Sequence, residues 1–109
     1  RTGVVVLPDP FHPAWGRELL SGYYAQLPVV AGALGVARTG CLLAYVTDPN
    51  DLAHGAGVYA GRILSGELPA DLPVQLPLRY RMIVNRRTAA SLRVRVPRQM
   101  LLQADEIVD

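Results

Sequence analysis

Two carboxylates follow apolar runs at points where the chain must turn. Asp9 lies in Pro8-Asp9-Pro10 behind the run 3–7, and Asp48 lies between Thr47 and Pro49 behind the run 41–46. Each has an aromatic neighbour, Phe11 in the first case and Tyr45 in the second. A carboxylate beside an aromatic wall at the end of a strand suits non-covalent recognition of a small solute, since the charge orients it and the ring covers its apolar part. Both acids also have local roles open to them, Asp9 as a turn former and Asp48 as a helix cap. Use of either as a catalytic acid or base would need a large upward shift of its pKa.

Other chemistry has little to stand on. His12, His54 and Cys41 are the only histidines and the only thiol, and their spacing matches no metal motif. No serine or cysteine stands in a nucleophile-elbow setting. The glycines at 32, 35, 40, 55 and 57 fit neither a P-loop nor a dinucleotide fingerprint. The reading is therefore a binding protein rather than an enzyme, with no cofactor and no metal.

These loops must be carried by an ordered scaffold, and the composition is that of a folded chain: 109 residues, half of them hydrophobic and 18% charged. The length predicts one domain, 1–109. No apolar run approaches the roughly 20 residues that cross a bilayer. The β-branched run Gly3-Val4-Val5-Val6-Leu7 predicts a central parallel strand buried on both faces. A helix is expected over 14–26, with its apolar stripe on Leu19, Leu20 and Tyr23. Short strands are expected at 27–31 and 41–46, the second carrying Cys41 as a small buried hydrophobe, with a glycine-punctuated loop between them.

Asp48-Pro49-Asn50-Asp51 starts a helix running to about Leu64, with Leu52, Ala56, Tyr59, Ala60, Ile63 and Leu64 on one side and Gly66 as its stop. Gly55 and Gly57 would permit close backbone approach to this helix. Pro69, Pro73 and Pro77 make 67–78 an extended connector wrapping a surface. Tyr80, Met82 and Val84 then alternate with Arg81 and Ile83 in a strand. Asn85 caps a short helix to Leu92, and Pro97 opens a last turn to about Ala104. The succession is α/β: a mostly parallel sheet with helices on both faces and ligands beyond the strands' carboxyl ends.

All eleven basic residues are arginine, and Arg79, Arg81, Arg86, Arg87, Arg93, Arg95 and Arg98 share twenty residues without an acid. Guanidinium clusters bind oxyanions, but Tyr80 is the only aromatic in this stretch, which argues against nucleic acid. An acidic partner docked on this arginine-rich segment is the alternative function.

From Tyr59 to the end the chain resembles the C-terminal part of bacterial ABC-transporter substrate-binding proteins, in the tryptophan/tyrosine-type or uncharacterised branch. The likeness rests on Gly61-Arg62-Ile63-Leu64-Ser65-Gly66, Pro69-Ala70-Asp71-Leu72-Pro73-Val74-Gln75-Leu76-Pro77, Ile83-Val84-Asn85 followed by Thr88-Ala89 and Leu92, and Ala104-Asp105-Glu106-Ile107-Val108. It continues more weakly through Tyr45 to Asp48 and Val5 to Pro10. The resemblance implies one partial lobe of a type I periplasmic-binding-protein fold, whose two lobes close around a solute delivered to a membrane permease. It implies a location outside the cytoplasmic membrane and a solute such as an amino acid.

Carried over by position, the ligand-binding residues are Asp9, Pro10, Phe11, Tyr45, Val46, Thr47 and Asp48. Val46 stands where the family has glycine, narrowing the space for a ligand, and Arg93 replaces a second glycine at a helix end that would then be rebuilt. The chain opens at Arg1 without methionine or leader and reads as an excised C-terminal part. Half a clamshell would bind solute weakly, and its uncovered apolar surface would favour a homo-oligomer.

Overall fold

The computed structural model describes residues 2–8 and 26–109. The chain divides into two compact units. One consists of Arg1–Val46 with Arg81–Asp109 and holds a sheet; the other, Thr47–Tyr80, is built on a single long helix. The helix expected over 14–26 lies outside the described residues.

The sheet has five strands in the order β1-β2-β3-β4-β5: β1 Val4–Val6, β2 Val29–Ala31, β3 Leu43–Thr47, β4 Tyr80–Asn85 and β5 Glu106–Val108. β1 with β2, β2 with β3, and β4 with β5 are parallel, in registers that set Val5 beside Val30, Ala31 beside Ala44, and Val84 beside Ile107. The backbone bonds Asn85 N to Leu42 O and Asp48 N to Arg79 O, both 3.0 Å, place opposite ends of β3 and β4 together, so this one pair runs antiparallel. The sheet is thus mostly parallel. The carboxyl end of β4 lies beside the amino end of β3.

Burial follows this order. Val29, Ala31, Val36, Cys41, Ala44, Val46 and Ile83 form the core, with Val4, Val6, Ala33 and Val108 packed against it. Two expectations change. β1 is an edge strand in the described sheet, and Val5 is 71% exposed between half-buried Val4 and Val6. A valine run marks a strand but does not say how many neighbours it has. In β4 strict alternation fails, because Ile83 and Val84 are both buried in a strand flanked on each side. β5 was not expected, since three residues headed by a glutamate carry little strand signal.

Among the described residues the sheet unit also carries three short helices: α1 Leu34–Ala37, α3 Arg86–Ser91 and α4 Arg98–Gln103. Asn85 caps α3 as expected, its Oδ1 accepting from Thr88 N at 3.0 Å. After α3 the chain turns through Arg93 at φ 54°. The left-handed helix end is therefore kept with arginine in place of glycine, rather than rebuilt.

In the other unit α2 spans Pro49–Leu64, with Asp48 as N-cap, Pro49 in the first turn and Asp51 near the dipole's positive end. Its end is a Schellman motif: Glu67 N donates to Arg62 O and Gly66 N to Ile63 O, with Gly66 at φ 103°. The connector that follows contains one 3-10 turn, Pro69–Asp71, and then lies along α2. Asp51 Oδ2 accepts from Leu78 N and Arg79 N at 3.2 Å each, the Tyr59 hydroxyl donates to the Pro73 carbonyl, and Arg62 pairs with Glu67 at 2.6 Å. No residue of α2 is buried.

Candidate functional site

The expected site begins at the end of β3. In the sequence Leu43 to Thr47 the side chains alternate, with Ala44 and Val46 turned into the core and Tyr45 outward, 54% exposed. Tyr45 thus presents its ring at the sheet surface. Val46 does the reverse: it is 4% exposed and part of the core, so the valine that replaces glycine fills the interior rather than the space beyond the strand. The Val46 side chain is thus closed off in the core.

The chain then passes from the sheet unit to the helix unit, which opens with Thr47 and Asp48. Asp48 Oδ1 accepts from Asn50 N at 2.9 Å, and the Asp48 amide donates to Arg79 O. Its capping role is realised. Among the described residues, the second carboxylate oxygen and the Thr47 hydroxyl have no hydrogen-bond partner. Asp9, Pro10 and Phe11 lie outside the described residues. Among the described residues, Gly32 is placed close under Pro8: a β-carbon there would fall 2.9 Å from Pro8 Cδ, and Gly32 N donates to Val6 O at 2.9 Å. Glycine is what lets these two strand-end turns approach.

Two hollows were not anticipated. In the helix unit, a groove of about 350 Å³ runs between α2 and the connector, walled by Leu52, Tyr59, Leu76 and Leu78 with His54 and Gln75 at its polar points. The helical spacing of the apolar residues was visible in the sequence, but the route of the connector was not. In the sheet unit, an open hollow of about 410 Å³ is lined by Arg38, Asn85, Arg87, Thr88 and Ser91, residues brought together by α1, β4 and α3. Cys41 is no reactive group: burial pushes its thiol up to about 11.

The arginine-rich segment is partly neutralised from within. Arg81 shares Glu106 with Arg38, at 3.4 and 3.0 Å, and Arg86 pairs with Asp109 at 3.2 Å. Among the described residues Arg87, Arg93, Arg95 and Arg98 have no such partner.

The described sheet is mostly parallel with helices beside it, an α/β arrangement in which ligands commonly sit beyond strand ends. The family model of the ABC transporter substrate binding protein matches residues 17–108. The chain belongs to that family, one of substrate-binding proteins and not of enzymes, typically extracytoplasmic.

Solved structures agree on the fold. A Streptococcus pneumoniae ABC domain in complex with L-Trp superposes with a TM-score of 0.85 at 23% identity, over 99% of this chain and 37% of its own. A conserved domain protein from Vibrio cholerae O1 biovar El Tor gives 0.84 at 21%, over 97% and 36%. A ligand-free, open substrate-binding protein with adhesive properties from Clostridium difficile gives 0.67 at 22%, over 96% and 36%. The chain spans just over a third of the length of these proteins. No curated protein gives a match. No helix among the described residues is long and apolar enough to cross a membrane.

Proposed function

We propose that the chain supplies part of the solute-binding component of an ABC transporter, holding a small organic solute such as an amino acid without covalent chemistry. The observation that carries this reading is the family match across 17–108, joined to an outward tyrosine with an aspartate cap three residues on. In this reading Tyr45 supplies a ring, Thr47 and Asp48 supply polar contacts, Val46 supplies backbone, and Asp9, Pro10 and Phe11 supply the neighbouring loop. The L-Trp held by the pneumococcal protein supports an aromatic amino acid as the first solute to test. The permease, a location outside the cytoplasmic membrane and membership of a longer, two-lobed protein come with the same reading.

A solute desolvated between two lobes gains affinity from both, so this chain alone binds it weakly. The test is a thermal-shift and calorimetric screen of amino acids on this chain and on a two-lobed protein that contains it. A ligand selective for the folded state raises the melting temperature, with about 2.7 kcal/mol of stabilisation at a hundredfold excess over Kd. A saturable rise in the two-lobed protein, lost in Tyr45→Ala, supports the reading; no response to any solute there overturns it. Uncovered Leu52, Val58, Ile63 and Leu64 on α2 favour self-association of the isolated chain. A monomer mass by light scattering across a wide concentration range would refute that part.

The competing role, docking of an acidic partner, draws on Arg87, Arg93, Arg95 and Arg98. A measured interaction that weakens steeply with salt would favour it.

A further inference from the structure

Because β4 runs against β3, its carboxyl end reaches the edge of the sheet at which β3 enters, opposite the end that carries Tyr45 and Val46. The hollow lined by Arg38, Asn85, Arg87, Thr88 and Ser91 lies there. Its hydroxyls are already committed as donors: Thr88 Oγ1 donates to Gly40 O at 3.1 Å and Ser91 Oγ to Thr88 O at 2.9 Å. Three sets of N–H donors are left over. Among the described residues the Arg87 guanidinium has no acceptor, and Arg38 gives Nε and Nη2 to Glu106 but keeps Nη1.

The third is the least expected. Asn85 is 5% exposed, and its Oδ1 is spent on Thr88 N, yet among the described residues its side-chain NH2 has no acceptor. A buried donor left unpaired is costly and rare, and it calls for an acceptor from outside the chain. Two guanidinium groups set the charge of that acceptor, and planar guanidinium matches phosphate geometry. Glu106 offsets one of the two, leaving net positive charge at the hollow.

We propose that this hollow is an oxyanion site, separate from the solute site, that takes a phosphate group on Arg87, the Asn85 amide and Arg38. The phosphate belongs either to the free ion or to the phosphoryl end of a larger molecule; the chemistry at the site is the same.

The test uses the 15N-labelled chain, titrated with inorganic phosphate at constant ionic strength with chloride as the exchanged ion. Saturable shifts are expected at the Asn85 side-chain amide and Arg87 Nε–H. Arg87→Gln, at an exposed position that does not threaten folding, should weaken binding about tenfold or more, the loss of one charge-assisted hydrogen bond. Asn85→Asp keeps the cap oxygen but replaces the NH2 with a like charge, and should abolish binding, while Arg98→Gln leaves it unchanged. A parallel titration with sn-glycerol 3-phosphate assigns the source: tighter binding than inorganic phosphate points to a phosphoryl ester, weaker binding to the free ion. Shifts that never saturate, that chloride reproduces, or that survive Arg87→Gln undiminished overturn the site.

Discussion

The two units of this chain are both rich in aliphatic residues, yet only one of them makes a core. Among the described residues all nine buried hydrophobics belong to the sheet unit, and α2, the longest helix described, buries none of its own. The helix unit is held instead by directional contacts: the Asp48 cap, Asp51 to the connector backbone, Tyr59 to Pro73, and Arg62 to Glu67. Local sequence suffices to shape a capped helix and to lay a proline-rich strap along it. It does not suffice to cover an apolar stripe. Hydrophobic spacing states that a face is to be buried and leaves open by what.

Truncation in the core tests this contrast most severely. Ile83→Ala removes a side chain that is 1% exposed in the centre of the sheet, and should cost about 2–5 kcal/mol in urea unfolding. Leu64→Ala removes one that is 88% exposed, and should stay within about 0.5 kcal/mol in the isolated chain. Equal losses for the two would dissolve the distinction. A large loss for Leu64→Ala that appears only at high protein concentration would instead reveal a second copy covering α2.

The backbone supplies a contrast of middle size. Arg93 holds a left-handed conformation that disfavours any residue with a β-carbon, so Arg93→Gly should raise stability by about 1 kcal/mol by thermal or urea unfolding. Gly57 is the opposite case, a helix-interior glycine whose added β-carbon would meet nothing within 4 Å. Gly57→Ala should stabilise the isolated chain by about 1 kcal/mol. The sign is informative, because close approach of a second lobe to this helix would turn the same substitution into a destabilising one in the two-lobed protein.

The comparison also marks what could be read from the residues in advance. The bounds of α2, its cap, the αL stop at Gly66, the Asn85 cap and the burial of Cys41 all follow from local chemistry, and local chemistry is what a sequence carries directly. The edge position of β1, the antiparallel step from β3 to β4, and β5 depend on which strands become neighbours, which three or five residues cannot encode. The candidate site divides in the same way. Tyr45 outward and Asp48 as cap were legible from alternation and capping. The fate of Val46 required the core, and the unpaired amide of Asn85 could be seen only once its oxygen was assigned to Thr88. Gly55 and Gly57 were expected to admit a close neighbour, but a β-carbon at Gly57 would meet nothing within 4 Å and one at Gly55 would make only ordinary contact with Gln75 at 3.7 Å.

The smallest effect is expected from acid, and it treats both units alike. Hydrogen bonding to Arg38, reinforced by the charges of Arg38 and Arg81, holds the Glu106 carboxyl below the usual range in the sheet unit; Arg62 does the same for Glu67 in the helix unit. A carboxyl depressed in the folded state binds its proton less readily there than in the unfolded chain. Each pair therefore contributes its full stabilisation above the ordinary glutamate value, about 4.3, and loses it as pH falls through the lower folded value. Both pairs are exposed to solvent screening, with Arg38 at 73% side-chain exposure, so the loss is small and shrinks further in salt. NMR titration of the two carboxyl groups should give midpoints below the ordinary value, with that of Glu106 rising part of the way toward it in Arg38→Gln, where Arg81 remains, and that of Glu67 returning to it in Arg62→Gln. Normal midpoints in the unmutated chain would mean that neither pair holds in solution, and the helix unit would then rest on its cap and strap alone.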